Sequence, residues 1–323
     1  MTEAHALEHS VTGLQQDIGQ FLQWLQHQSY GFHTVCPTSH AAYLKRTGKT
    51  QASNLHDIFG WSLPFKSSLI PENIFRLLLN YQLIYQQQHL WCSQIRVATL
   101  NQQYFIHSAY PTDSETAVFF GPDTYRFIHA LEQHLALHQP VIKRAIEMCS
   151  GAAPAAMTLA RYAPHAEVIA VDVNPLALQY AMINAAINQV TNLHAVHSNL
   201  FDGLNGQFEL ITANPPYLID HSERLYRHGG NLLGAELSLN IIKQSLGYLS
   251  PDGTLLLYTG VVIANGQDLL CQALTEFMQA HKQQFSLHYQ EVDPDIFADE
   301  LNEPHYADAE RIAAVVIKIR RLV

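Results

Sequence analysis

Apolar positions fall in two kinds of pattern along the chain, and the change between them divides it. In the first third the spacing is helical. Leu14, Ile18, Phe21, Leu22 and Leu25 recur on one face and predict an amphipathic helix over 12–27. Thr12 followed by Gln15 has the form of a capping box at its start. Cys36-Pro37 breaks that pattern. A second helix is expected after Pro71, carrying Ile74, Leu77, Leu78 and Tyr81, because proline suits the first helical position. Three short runs rich in β-branched and aromatic residues follow at 83–87, 91–100 and 104–107, and read as strands. Helices followed by a small hairpin suggest a winged-helix-like module over 1–115. That module reads equally well as a substrate-recognition element or as a structural cap.

From about residue 116 strands and helices alternate, the signature of a parallel α/β sheet. Strands are expected at 145–149, 168–172, 193–196, 208–213, 254–259, 285–292 and 313–319. Helices are expected at 155–162, 175–188, 237–249 and 271–281, with a turn at Pro251-Asp252-Gly253. No helical pattern separates the last two strands, which predicts an antiparallel hairpin closing a seven-stranded sheet. Residues 293–310 are expected to form an irregular connection. The catalytic part is therefore placed at 116–323.

Three loops at strand ends carry candidate chemistry. Glu147-Met148-Cys149-Ser150-Gly151 leads from the first strand of this part into a helix. Gly151 permits a tight turn and close approach of a ligand, and Glu147 offers a carboxylate to a cationic group such as an amine. A single glycine argues against the pyrophosphate cradle of dinucleotide enzymes, and so against a nicotinamide-dependent oxidoreductase. Asp172 ends the second strand 21 residues after Gly151, close to the spacing at which a carboxylate accepts both hydroxyls of a ribose. Asn214-Pro215-Pro216-Tyr217 ends the fourth. Two prolines stop the ladder and stiffen the loop, and Pro215 restricts Asn214 to an extended shape. The Asn214 side-chain oxygen and the Pro215 carbonyl are then placed to accept the two hydrogens of an NH₂ group, with Tyr217 stacking on the planar group that bears it.

These motifs, with Val171–Leu178 and Asn199-Leu200-Phe201, make residues 119–260 resemble class I methyltransferases of the "small domain" group. The group includes glutamine-N5 methyltransferases of release factors and ribosomal protein, and relatives acting on exocyclic amines in RNA. The resemblance implies a Rossmann-like seven-stranded α/β sheet and S-adenosyl-L-methionine as cofactor. It implies a cofactor site built from Glu147, Ser150, Gly151, Asp172, Val173, Asn199, Leu200 and Asn214. The implied catalytic loop is Asn214, Pro215 and Tyr217, with Pro216, Tyr217 and Tyr226 against the substrate. Phe119-Phe120-Gly121-Pro122-Asp123-Thr124 resembles, more loosely, a segment that closes the cofactor site. The chain departs from the group in having Ala152 and Ala153 where further glycines are common, and Asn199 where an aspartate usually faces the adenine. The segment 221–236 matches no substrate signature.

Composition narrows the acceptor. With 48% hydrophobic and 14% charged residues, the 323-residue chain is globular. Its net charge of −10 makes nucleic acid a less favoured partner than a protein or small-molecule acceptor; the densest basic cluster outside the C-terminal strand, Lys45-Arg46 with Lys49, reads as a solvated loop. Protein glutamine is the first expectation. A small molecule of a biosynthetic pathway, an RNA exocyclic amine, or a scaffold that has lost its chemistry stand behind it. Four widely spaced cysteines suggest no disulfide framework. The pairs His33/Cys36 and His194/His197 lack a second pair at zinc-site spacing, so no metal is expected. The start Met1–His5 has neither a basic nor an apolar signal region, and no apolar run reaches membrane-spanning length. A cytoplasmic protein without membrane attachment is expected.

Overall fold

The computed structural model describes residues 17–222 and 224–322. Helix α1 covers 17–27 and buries Ile18, Phe21, Leu22 and Leu25, as the periodicity predicts. Leu14 and the Thr12/Gln15 capping box lie outside the described residues. Pro37 differs from expectation: it opens a helix, α2 (Pro37–Thr47), where its fixed φ and missing N–H cost nothing. Lys45 and Arg46 therefore belong to the last turn of a helix and not to a loop, a place where the helix dipole favours cations. Lys49 pairs with buried Asp57 at 2.7 Å. Short α3 (Leu55–Phe59) is capped by Asn54, and α4 (Glu72–Asn80) follows Pro71.

The expected strand over 91–100 is divided at Gln94. β1 (Ile84–Gln87) pairs with β2 (Leu90–Ser93), and β3 (Ile95–Leu100) pairs with β4 (Gln103–Ser108). Two separate antiparallel hairpins thus replace the single small hairpin. The long helix α5 (Pro122–His138), which hydrophobic spacing did not predict and which the Phe119–Thr124 segment opens, leads into the sheet.

Then come β5 (Arg144–Met148), α6 (Pro154–Tyr162), β6 (Glu167–Asp172), α7 (Pro175–Ile187), β7 (Leu193–His197) and β8 (Phe208–Ala213). They are followed by α8 (Glu236–Ser245), β9 (Leu249–Ala264), two-residue β10 (Gln267–Asp268), α9 (Leu269–Gln279), β11 (Phe285–Asp293) and β12 (Ala309–Arg321). The sheet order is β11-β12-β9-β8-β5-β6-β7, with β10 paired to β9. β7, β6, β5, β8 and β9 are mutually parallel, and β12 runs antiparallel to both β9 and β11. The predicted antiparallel closure is therefore present. The helix expected over 237–249 ends at Ser245, and the predicted turn at Pro251-Asp252-Gly253 is a bulge inside β9: Asp252 has φ 62°, and the register passes from Phe208 opposite Leu249 to Leu210 opposite Thr254. The connection 293–310 holds two short 3-10 turns.

The strands read as apolar runs because both faces are covered. Ile146, Met148, Val171, Ile211 and Leu257 pack under α8 and α9. Ala145, Val168, Ala170, Leu210 and Leu256 face the other way, into a core that continues without a break to Phe21, Phe59, Ile95 and Phe105. Polar rivets accompany that shared core. Asn184 on α7 and Asn188 at its C-terminal cap stand one turn apart and use their amides as a substitute strand for β4. Asn184 Oδ1 accepts from the Ile106 amide at 2.8 Å and its Nδ2 donates to the carbonyls of Ile106 and Ala152, both at 3.1 Å. Asn188 does the same for Tyr104, at 3.2 and 2.9 Å. Asn184→Ala leaves the Ile106 amide buried without a partner and should cost about 2–3 kcal/mol. Urea unfolding measures that loss, and hydrogen exchange should show the Ile106 amide losing protection.

Candidate functional site

The carboxyl ends of β5, β6 and β8 and the loop after β7 meet at one edge, the ligand-binding edge of open α/β sheets. All twelve residues singled out from the sequence line one cleft there: Glu147, Ser150, Gly151, Asp172, Val173, Asn199, Leu200, Asn214, Pro215, Pro216, Tyr217 and Tyr226.

The turn after β5 is a run of left-handed residues. Cys149, Gly151 and Ala153 have φ of 53, 52 and 60°. Only one of the three is glycine, so Cys149 and Ala153 each hold a conformation costing roughly 1–2 kcal/mol for an L-residue. Hydrogen bonds hold the turn in place. Ser150 N donates to Val171 O at 2.9 Å, and Ala153 N to Ser150 O at 2.7 Å. The Asp172 carboxylate accepts from Gly151 N at 2.8 Å through Oδ2 and from Asn174 N at 2.9 Å through Oδ1. Each oxygen keeps a lone pair for a ligand hydroxyl. Burial pushes the Asp172 carboxyl above its usual range.

Glu147 has a second task that its place at a strand end did not reveal. Its two oxygens accept from Ala155 N at 3.2 Å and Ala156 N at 2.7 Å, filling orphan donors in the first turn of α6. It is 2% exposed, and burial pushes its carboxyl up to about 8. Ser150 Oγ is buried on the cleft wall without a hydrogen-bond partner. In the loop after β7, Leu200 has φ 51°, and Ser198 Oγ ties the loop to Leu200 O and Asp202 O. Asn199 is exposed at the rim.

At the other end of the cleft, Asn214 Oδ1 is buried and has no hydrogen-bond partner. A buried acceptor left open costs about 1–3 kcal/mol, so this loop is built around a missing donor. Its backbone is held by unusually close packing. A Cβ on Gly229 would stand 2.7 Å from Tyr217 Cα, and one on Gly234 would stand 2.2 Å from Tyr217 O. Leu218 N donates to Arg227 O, and Gly229 N to Leu218 O. The unassigned segment 221–236 is thus, in its described part, a backbone buttress for the catalytic-loop candidate. Tyr217 is only 8% exposed. Its ring rests on Gly260, where a Cβ would come within 2.4 Å of ring carbons, and Phe297 meets it edge-on at 6.0 Å. Little of its face is open for the stacking expected from the motif. Tyr226 stacks on Phe119 at 5.5 Å, and its hydroxyl donates to Thr112 O.

Sequence reasoning missed Phe297, which lies in the irregular connection and belongs to no motif. It also passed over Tyr258, a hydroxyl-bearing residue inside an apolar strand that must find a buried partner. Pro37 and Thr112 also line the cleft, so the N-terminal part contributes to its wall. Among the described residues there is no group of three or more His, Cys, Asp and Glu side chains placed to hold a metal ion, and no helix long and apolar enough to cross a membrane.

Comparison with known proteins agrees with this geometry. The family model for the methyltransferase small domain matches residues 127–287. The ribosomal protein uL3 glutamine methyltransferase of Neisseria meningitidis is 31% identical over 150 residues, covering 43% of this chain and 48% of the relative. The release factor glutamine methyltransferase of Deinococcus radiodurans is 31% identical over 158 residues, covering 45% and 55%. That of Escherichia coli is 33% identical over 150 residues, covering 43% and 53%. The chain spans about half the length of these curated relatives.

Two outcomes test the cleft. At Gly151 an added methyl has room, its nearest neighbour being Val118 Cγ1 at 3.9 Å, but φ is +52° and the turn faces the ligand. Gly151→Ala should lower stability by roughly 1–2 kcal/mol and weaken S-adenosyl-L-homocysteine binding at least about tenfold by calorimetry, a loss of about 1.4 kcal/mol. Glu147 gives a pH signature. A carboxyl raised by folding contributes stability that is full below its ordinary pKa of 4.5 and lost as pH rises through about 8. Between those pH values the urea midpoint of Glu147→Gln should therefore improve relative to the parent protein.

Proposed function

We propose that the chain, whose residues 127–287 match the methyltransferase small-domain family model, is an S-adenosyl-L-methionine-dependent N-methyltransferase acting on a planar nitrogen, with protein glutamine as the acceptor. The observation that carries this reading is the open Asn214 Oδ1, buried in the same cleft as Gly151 and Asp172. An NH₂ group is the donor that such an acceptor lacks.

The cleft fits the cofactor. Asp172 has lone pairs for the ribose hydroxyls, Gly151 lets the backbone come close, and Ser150 Oγ is an unused buried polar group on the wall. Val173, Asn199 and Leu200 border the adenosine end, and Glu147 sits beneath the turn. S-adenosyl-L-methionine supplies an electrophilic methyl group on a sulfonium. The protein's part is positioning. Asn214 Oδ1 and the Pro215 carbonyl accept the two N–H hydrogens, turning the nitrogen lone pair towards the methyl. Pro215 and Pro216 keep that geometry without reorganisation during transfer, and such preorganised hydrogen bonds are where catalysis of this kind comes from.

The burial of Tyr217 favours a carboxamide over a purine, which needs an open aromatic face to stack on. The names of the relatives, which act on glutamine of ribosomal protein uL3 or of release factors, support a protein acceptor. Residues 1–115 serve as the recognition or capping module, 116–323 as the catalytic part, and the cytoplasm as the place of action.

Asn214→Ala should lower methyl transfer by roughly two to three orders of magnitude, the usual loss for one preorganised hydrogen bond at a reacting group. S-adenosyl-L-homocysteine affinity should stay within about threefold, under 1 kcal/mol. The assay incubates the protein with methyl-labelled cofactor and a fractionated cell extract. Label in the protein fraction, recovered as methylglutamine on hydrolysis to free amino acids by proteases, is the expected result. Label confined to nucleic acid or small molecules would replace the glutamine reading.

A further inference from the structure

The chain leaving the acceptor loop doubles back on itself. Leu218, directly after Asn214–Tyr217, donates its amide to Arg227 O at 3.1 Å and accepts from Gly229 N at 2.8 Å. The described residues between 219 and 227 form turns and irregular chain, without helix or strand. Side chains must therefore hold this fold-back. Asp220 sits inside it, its side chain 7% exposed. A buried carboxylate is expensive unless its lone pairs are used. Asp220 Oδ2 accepts from the Arg224 amide at 2.9 Å and from Arg224 Nε at 3.0 Å, and Oδ1 accepts from Arg224 Nη2 at 2.6 Å. This two-point fork fixes direction as well as distance. Arg227 Nε stands 3.4 Å from Oδ1, and the Asp220 amide donates to His228 Nδ1 at 3.2 Å. The hydrogen bond from Arg224 holds the Asp220 carboxyl down to about 2, so its charge is present throughout the neutral range.

The same fork reaches the cleft wall. Arg224 Nη1 donates to Tyr226 Oη at 3.3 Å and approaches Thr112 O at 3.5 Å. Leu225 N donates to Glu115 O at 3.2 Å, and Arg227 Nη2 donates to Glu300 in the 293–310 connection. Thr112, Tyr226 and Arg227 line the cleft, while Asp220 lies outside the lining. Gly229 and Gly234 let the returning backbone press on Tyr217, but packing contacts push without pulling. The Asp220–Arg224 fork supplies the pull. We propose that Asp220 is a positioning residue for methyl transfer: its fork with Arg224 locks the fold-back that seats the acceptor loop and holds Tyr226 in the cleft wall. This inference rests on the N-methyltransferase reading above and assigns a residue to it.

The test uses the full chain with Asp220→Asn, Asp220→Ala, Arg224→Gln and the Asp220→Ala/Arg224→Gln double variant. Transfer of methyl label into the protein fraction of a cell extract is measured at saturating cofactor over a dilution series of that fraction. S-adenosyl-L-homocysteine affinity and amide hydrogen exchange are measured alongside. Asp220→Ala and Arg224→Gln should each slow transfer about 10- to 100-fold, with cofactor-site affinity changed less than about threefold. The loss should persist at the highest extract concentration, because presentation of the acceptor is impaired and not its capture. Asp220→Asn keeps an acceptor oxygen and should transfer faster than Asp220→Ala. The double variant should be no more than about threefold slower than the slower single variant, since both residues act through one fork. In Asp220→Ala the amides of Leu218, Arg224 and Gly229 should lose protection while those of β8 keep theirs. Arg224 is the more exposed partner, its side chain 19% exposed, so Arg224→Gln carries the test if Asp220→Ala does not fold.

Parent-level transfer by Asp220→Ala or Arg224→Gln, multiplying losses in the double variant, a parallel loss of cofactor-site affinity, or full recovery at high extract concentration overturns the proposal. If the parent protein transfers no label at all, the functional reading fails. Hydrogen exchange then decides the lock separately: unchanged protection of Leu218 and Gly229 overturns the positioning role on its own.

Discussion

The Asp172 carboxylate bonded to the Gly151 amide is the interaction on which the site depends. It joins the ends of two neighbouring parallel strands and holds a turn that cannot hold itself. Cys149 and Ala153 sit in a left-handed conformation that costs each of them energy, and the turn persists because Asp172, Val171 O and Glu147 fix its backbone groups from both sides. Glu147 is buried and Asp172 half-buried, and desolvation raises both carboxyls above their usual range. The protein thus stores backbone strain and desolvated carboxyl groups where a polar, cationic ligand would relieve them.

The acceptor end depends on a different constraint, the exclusion of side chains. Gly229 and Gly234 let the buttress backbone approach the Tyr217 backbone, and Gly260 lets the Tyr217 ring lie on β9, more closely than any Cβ permits. Prolines stiffen the loop from within, and these glycines press on it from outside. What is left is one buried side-chain oxygen, Asn214 Oδ1, without a hydrogen-bond partner, on a residue that lines the cleft.

The sheet was legible in the sequence because β5, β6, β8 and β9 are buried on both faces and their apolar runs have no competing interpretation. The cofactor turn and Asn214–Tyr217 were legible because glycine, aspartate and proline at strand ends restrict what a chain can do. Elsewhere one residue type served two ends. Pro37 read as a helix stop and is a helix start. Pro251-Asp252-Gly253 read as a turn between elements and turns instead as a bulge inside one long strand. Helix α5 escaped notice because His129, Gln133, His134 and His138 dilute its apolar face. Phe297 and the buttress at 227–234 act only through contacts made between distant segments, and spacing along the chain holds no trace of these. The same holds for Tyr217, whose motif implies a stacking face while tertiary packing covers most of it.

Calorimetric titration of the protein and of Asp172→Asn with S-adenosyl-L-methionine tests the central claim most directly, because cradle and chemistry both presuppose that ligand. The structure predicts one site per chain with a dissociation constant in the micromolar range, about −8 kcal/mol. Weakening in Asp172→Asn should exceed about tenfold, or 1.4 kcal/mol, without loss of the folded state. Absence of binding to the parent protein, or equal binding to both proteins, would contradict the account.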